Sequence, residues 1–129
     1  MHKILKVYLS QSRYDHSVRV SDLSVDLSRF YACNVDFAKT AGLIHDIAKE
    51  LSPKILQEKF LLSSTEYELD IYQKFPKTWH AVVAPKVIIH LFKCNQAEVL
   101  DACRWHTTGK ADMSILETIV KSNDLVGLS

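Results

Sequence analysis

The chain has 129 residues, of which 47% are hydrophobic, with 16 basic and 15 acidic side chains. That length and apolar content suit one globular domain with a substantial core over residues 1–129. A formal net charge of +1 provides no electrostatic footprint for duplex nucleic acid or an anionic membrane, so the expected partner is a small molecule.

Met1 to Tyr8 is a short apolar run interrupted by Lys3 and Lys6, too short for a signal segment, and no window reaches membrane-spanning length. Cys33, Cys94 and Cys103 are odd in number and form no Cys-x-x-Cys, which argues against a disulfide framework or a zinc-thiolate site and for a reduced, cytoplasmic setting. Three glycines, no low-complexity stretch and no internal repeat accompany a periodicity that is helical almost throughout. The fold class expected is all-α.

The first long helix is expected from about Arg13 to Phe30, because His16, Val20, Leu23, Leu27 and Phe30 recur at steps of three and four and form one stripe. After a turn at Asn34, Asp36 can cap a second helix with the stripe Phe37, Ala41, Ile44, His45 and Ala48, ending near Leu51. Ser52-Pro53 reads as a cap and first-turn proline opening a short helix toward Phe60. Ser63 to Phe75 is ambiguous. Pro76 to Cys94 carries a helical stripe of His80, Val83, Val87 and Leu91, in which Pro85 must kink the helix or mark a fresh start. Asn95 and Glu98 resemble a capping box for a helix holding Val99, Leu100, Cys103 and His106, which Thr107-Thr108-Gly109 then ends. Ser114 and Glu117 form a second box, opening a last helix with Leu116, Val120 and Asn123 on one side and Asp124 beside them.

The series His16, His45-Asp46, His80, His106, Asp124 therefore lies on or next to apolar stripes. Polar groups turned toward a core need a partner or an ion, and imidazole with carboxylate suits divalent transition metals. His45 and Asp46, about 100° apart around a helix, can reach one cation on its flank, with His16 and Asp124 completing the set. His80 and His106 then lack a carboxylate unless Asp46 bridges to a second metal. Two metals so bridged would share a water, lower its pKa and clamp phosphoryl oxygens, which points to hydrolysis of a phosphate ester or anhydride.

Taken singly, an inward histidine is more often a hydrogen-bonded core residue than a ligand; the joint pattern carries the inference. His2 and His90 receive no role. Lys49, near His45, can meet a bound phosphate as a point charge. Arg13, one turn before His16, can meet an anion, although a helix-surface arginine is the commoner case. Arg104 and Trp105 can pack, or the indole can stack on a base. Thr107 and Thr108 are helix-stop residues first.

The order His16, His45-Asp46, Asp124 resembles the signature of the HD superfamily of metal-dependent phosphohydrolases. The segments Arg13-Tyr14-Asp15-His16-Ser17, Ala41 to Glu50 (AGLIHDIAKE) and His106-Thr107-Thr108-Gly109 are similar to its YqeK-type branch, the symmetrical bis(5'-nucleosyl)-tetraphosphatases. The resemblance runs from Arg13 to Asp124. It implies an HD-type helical bundle with a buried dinuclear centre, most simply iron with manganese as the alternative, that hydrolyses diadenosine tetraphosphate to two ADP. Carried over by position, one metal would take His16, His45, Asp46 and Asp124 and the other Asp46, His80 and His106. Asp46 and Lys49 would serve catalysis, and Arg13, Lys49, Thr107, Thr108 and Gly109 would contact substrate. The family has glycine at Ala81, alanine at Asn123 and a longer basic segment after the final aspartate, so the chain reads as shortened at its C-terminus. The competing readings are an HD hydrolase acting on another nucleotide and a metal-binding module with little turnover.

Overall fold

The computed structural model describes residues 1–127, which form eight helices and no strand among the described residues. They are α1 (His2–Tyr8), α2 (Gln11–Phe30), α3 (Val35–Ile44), α4 (Pro53–Phe60), α5 (Glu66–Lys74), α6 (Pro76–Phe92), α7 (Ala97–Arg104) and α8 (Ile115–Gly127). No helix among the described residues is long and apolar enough to cross a membrane. α2 lies chiefly along α3, α8 packs on α2, α3 and α7, and α6 packs on α7 with α5 against its outer side. The apolar centre is built from Ala41, Ile44 and Ile47 with Val83, Val87 and Val120. Burying each aliphatic side chain of this kind contributes roughly 1.5–3 kcal/mol.

The long helix departs from its expected stripe. Phe30 is 86% exposed, Leu23 and Leu27 are only half-buried, and the buried line is His16, Ser17, Val20, Ser21, Ser24 and Ser28. The reason is close approach. A Cβ on Gly42 of α3 would lie 2.6 Å from the Ser21 Cα and 2.8 Å from its nitrogen, so small residues are needed on both sides of the contact. Two of these serines place their hydroxyls on carbonyls, Ser21 donating across to Lys39 of α3 at 2.9 Å and Ser28 to Val25 of its own helix at 2.7 Å, while the Ser17 hydroxyl is buried without a partner. The expected stripe holds for His16 and Val20 and fails from Leu23 onward.

Other boundaries also move. Asn34, not Asp36, caps α3, accepting from the Phe37 amide at 3.0 Å. That helix stops at Ile44 rather than near Leu51, and the chain continues in tight turns with Ile47→Ile44, Lys49→Asp46 and Leu51→Ala48 amide-to-carbonyl bonds. Ser52 caps α4 with Pro53 in its first turn. The ambiguous stretch is α5, opened by a reciprocal box between Thr65 and Glu68. Pro85 sits inside one continuous α6 and neither ends nor restarts it. The box expected at Asn95 does not form: Gln96 is the cap of α7 and gives no side-chain bond, and α7 ends at Arg104, before His106. Ser114 accepts from the Glu117 amide at 3.1 Å, but the Glu117 carboxylate pairs with Lys110 at 3.3 Å instead of closing the box.

Because the α2–α3 contact is backbone against backbone, Gly42→Ala is expected to lower stability by about 1–3 kcal/mol through overpacking. Lys39→Ala, on the exposed side of the same helix, should change stability by less than about 0.5 kcal/mol. Thermal unfolding of the two variants checks this, and equal midpoints would show that the contact is not tight.

Candidate metal centre

Asp46 is 2% exposed, and its two oxygens face different histidines. Oδ2 lies 3.6 Å from His16 Nε2 and 3.4 Å from His45 Nε2, while Oδ1 lies 3.2 Å from His80 Nε2 and 3.3 Å from His106 Nε2. Asp124 closes the first group, with Oδ1 2.8 Å from His16 Nε2 and 2.9 Å from His45 Nε2. The structure thus brings together His16 from α2, His45 and Asp46 from the turns after α3, His80 from α6, His106 from the turn after α7 and Asp124 from α8. They fall into two sets that could each hold a cation, His16-His45-Asp46-Asp124 and Asp46-His80-His106, within which all donor atoms lie within 4.8 Å of one another. His2 and His90 stand apart, the first hydrogen-bonded to the Tyr14 hydroxyl and the second against the Phe60 ring.

Two of the histidines are aimed by one local device. His45 Nδ1 donates to the Gly42 carbonyl at 2.7 Å, and His106 Nδ1 donates to the Cys103 carbonyl at 2.6 Å. His45 directly follows the last residue of α3 and His106 lies two residues past the end of α7, and each takes a carbonyl of the last helical turn. A carbonyl can only accept, so each Nδ1 carries the proton and each Nε2 presents a lone pair to the centre. For His45 that lone pair faces the carboxylates of Asp46 and Asp124; for His106 it faces Asp46 Oδ1 and, at 3.1 Å, His80 Nε2. Acceptors converging in a buried space require a proton or a cation between them. The donor set therefore fits divalent metal ions, and α3 and α7 both direct their negative C-terminal ends toward it.

Without a metal, protons take that role. Burial acts most strongly on His45 and would lower its pKa, but Asp46 and Asp124 outweigh it and hold the imidazole up to about 10. Burial would raise the Asp46 carboxyl, yet the charge on His45 and the close approach of the His106 and His80 rings keep it well below the usual carboxylate range. Asp124, also partly desolvated, is drawn down to about 2 chiefly by its bond with His45. His80 is shifted down, mainly by burial, so it offers a neutral nitrogen.

A cleft of about 350 Å³ opens over Asp46, His80, His106 and Asp124, and Arg13, Lys49, Lys77 and Lys121 supply its cationic wall. Arg13 donates to Asp46 Oδ2 at 3.2 Å, and Lys121 to the Thr107 carbonyl at 3.1 Å. The Thr107 hydroxyl is buried without a partner. Thr108 is not part of the cleft lining, and its hydroxyl donates to the Gly109 carbonyl at 3.0 Å. Gly109 shapes the turn: its φ of +70° suits glycine, and a Cβ there would meet Met113 Sδ at 3.3 Å. Sequence reasoning missed Lys77 and Lys121. The signal was present, because Arg13, Lys77 and Lys121 each precede His16, His80 or Asp124 by three residues, the spacing that shares a helix face.

A family model described as the HD domain matches residues 13–126. The chain is 27% identical over 122 residues to the symmetrical bis(5'-nucleosyl)-tetraphosphatase of Bacillus subtilis, covering 95% of this chain and 64% of that protein. It is 28% identical over 128 residues to the protein of the same name in Staphylococcus aureus, covering 96% of this chain and 63% of the relative. The chain thus spans a little under two thirds of these curated relatives. Among solved structures, a predicted HD superfamily hydrolase involved in NAD metabolism from Clostridium acetobutylicum superposes with a TM-score of 0.83 at 28% identity, covering 98% of this chain and 66% of that one. The matched span contains all six converging side chains, from His16 to Asp124, and the chain belongs to the HD domain family.

Proposed function

We propose that this protein hydrolyses diadenosine tetraphosphate symmetrically to two ADP, using two divalent transition-metal ions held through Asp46. The observation that carries the reading is the division of labour at that carboxylate, with Oδ2 toward His16 and His45 and Oδ1 toward His80 and His106. His16, His45, Asp46 and Asp124 would hold one ion, and Asp46, His80 and His106 the other. Iron is the favoured metal and manganese the alternative, since nitrogen and oxygen ligands of this kind accept both. When bound, such ions polarise phosphoryl oxygens and acidify water. The substrate follows from the activity for which the relatives in Bacillus subtilis and Staphylococcus aureus are named.

The protein's own groups would supply grip and charge compensation. Lys49, exposed at the mouth, with Lys77 and Lys121 faces the polyphosphate and offsets charge that develops on its oxygens. Arg13, already hydrogen-bonded to Asp46, fixes the orientation of the bridging carboxylate and adds a further cation at the cleft. The unpartnered Thr107 hydroxyl is a donor for a phosphoryl oxygen. Water adds across the central P–O–P linkage, one half retaining the bridging oxygen and the other gaining the new one, so both products are ADP. Lys49→Ala should cut kcat/KM by about tenfold or more while leaving metal content intact.

Elemental analysis of protein purified without chelator should find up to two metal ions per chain. Asp46→Ala should empty both positions and abolish turnover by more than about a hundredfold, whereas His106→Ala should spare the ion held by His16, His45 and Asp124. His90→Ala, outside the centre, should match the parent. Equal metal loss in the Asp46 and His106 variants would overturn the bridging assignment.

Metal uptake should also depend on pH in a defined direction. In the metal-free protein His45 keeps its second proton up to about pH 10, so at neutral pH a cation must displace that proton. Affinity should therefore rise with pH, by about tenfold per unit for one proton released. Calorimetry in buffers of different ionisation enthalpy measures the proton directly, and pH-independent affinity would contradict the arrangement.

Product analysis tests the substrate. With iron or manganese present, diadenosine tetraphosphate should give ADP alone by chromatography. ATP with AMP would refute symmetrical cleavage, and turnover of another nucleotide in its place would move the protein to a different HD hydrolase activity.

A further inference from the structure

Beside the metal cleft lies a second recess of about 370 Å³, walled by Tyr67 and Phe75, Val82, and Arg104, Trp105 and Thr108. Thr78 lines both recesses, so they are immediate neighbours that share that side chain as a wall. The character changes across it, from cationic in the cleft to aromatic in the slot. Tyr67 is 57% and Phe75 59% exposed, an arrangement that leaves two large rings at the mouth with apolar surface uncovered. At the floor the Arg104 guanidinium lies over the Trp105 indole, 4.0 Å from its centroid. Flat layers of this type are surfaces on which a heteroaromatic ring stacks. Arg104 Nη1 is buried with no hydrogen-bond acceptor, an unmet donor that is unfavourable until something supplies one.

We propose that this slot is a nucleobase subsite, taking the purine at one end of a nucleoside polyphosphate whose phosphates lie in the metal cleft. This rests on the function proposed above, which puts the polyphosphate over Asp46. A purine offers both things the slot lacks, a planar π-face for Trp105, Tyr67 and Phe75 and ring-edge acceptors for Arg104. A protein partner is a poorer fit, because the recess is small and adjoins the cationic cleft across Thr78. The outer nucleoside of the substrate, or the ADP it leaves behind, is the matching ligand.

The test is calorimetric titration of the 129-residue chain, incubated with manganese, with ADP and separately with pyrophosphate. ADP should bind about tenfold more tightly than pyrophosphate, the increment typical of base stacking on aromatic side chains. Tyr67→Ala, at an exposed position that leaves the core intact, and Arg104→Gln should each weaken ADP binding by about threefold to tenfold and leave pyrophosphate unchanged. Adenosine and ADP should quench Trp105 emission, and Trp105→Phe should remove the signal while retaining most of the ADP affinity. ADP binding no tighter than pyrophosphate, or both ligands weakened alike by both variants, would overturn the subsite. If the differential effects hold but diadenosine tetraphosphate is not cleaved, the subsite stands and the proposed reaction falls. If the substrate is cleaved to ADP and the slot variants are indifferent, the reaction stands and the subsite falls.

Discussion

The buried carboxylate of Asp46 is the constraint around which the rest of the molecule is arranged. An ionised carboxylate in a protein interior is costly unless its oxygens are compensated, and here the compensation comes from four imidazoles and the Arg13 guanidinium. Those five groups sit on α2, α6 and the turns after α3 and α7. The fold must therefore hold distant segments in register to within the reach of one side chain, and a shift in any of them leaves an uncompensated charge. Polar convergence of this kind does not arise from core packing, which favours Ile, Val and Ala at equivalent depth.

Close helix packing makes that convergence possible. Ser21 backs onto Gly42 with no room for a Cβ, which draws α2 against α3 and carries His16 beside His45, their ring centroids 5.4 Å apart. The same need explains why the buried face of α2 is written in serine rather than leucine. Each serine is small enough for the approach, and Ser21 and Ser28 keep their hydroxyls satisfied by carbonyls. A larger apolar stripe would bury more surface, yet would push His16 away from Asp46.

The helical class and most helix cores were legible in the periodicity, as were the caps at Ser52 and Ser114, because those signals are local; the cap of α3 is Asn34, two residues before the expected Asp36. The buried face of α2 was not legible, since it depends on a partner helix that the spacing of apolar residues does not reveal. Extension of α3 through His45 and of α7 through His106 was the natural reading of unbroken stripes, and both helices in fact stop short. The convergence of His16, His45, Asp46, His80, His106 and Asp124 could be inferred from residue type and order, because few other arrangements account for so many inward polar groups. Lys77 and Lys121 escaped notice for the opposite reason: lysine on a helix is commonplace, and only its fixed offset from a cluster member distinguishes it.

The early helix stops have a chemical consequence. Continued helix at Gly42 and Cys103 would engage their carbonyls with the amides four residues on, and the imidazoles of His45 and His106 would lose the acceptors that fix their Nδ1 protons. By ending each helix one or two residues before its histidine, the chain leaves a terminal carbonyl for the ring, selects the tautomer with a free Nε2, and turns that nitrogen inward. The repetition of this device at two unrelated positions, each aimed at a different oxygen of Asp46, ties the two halves of the centre to helix termini rather than to rotamer preference. It also places the negative ends of α3 and α7 beside the same carboxylates, where an added cation gains from both. The termini that would be weak points in a purely apolar bundle are thus where this one concentrates its capacity to bind positive charge.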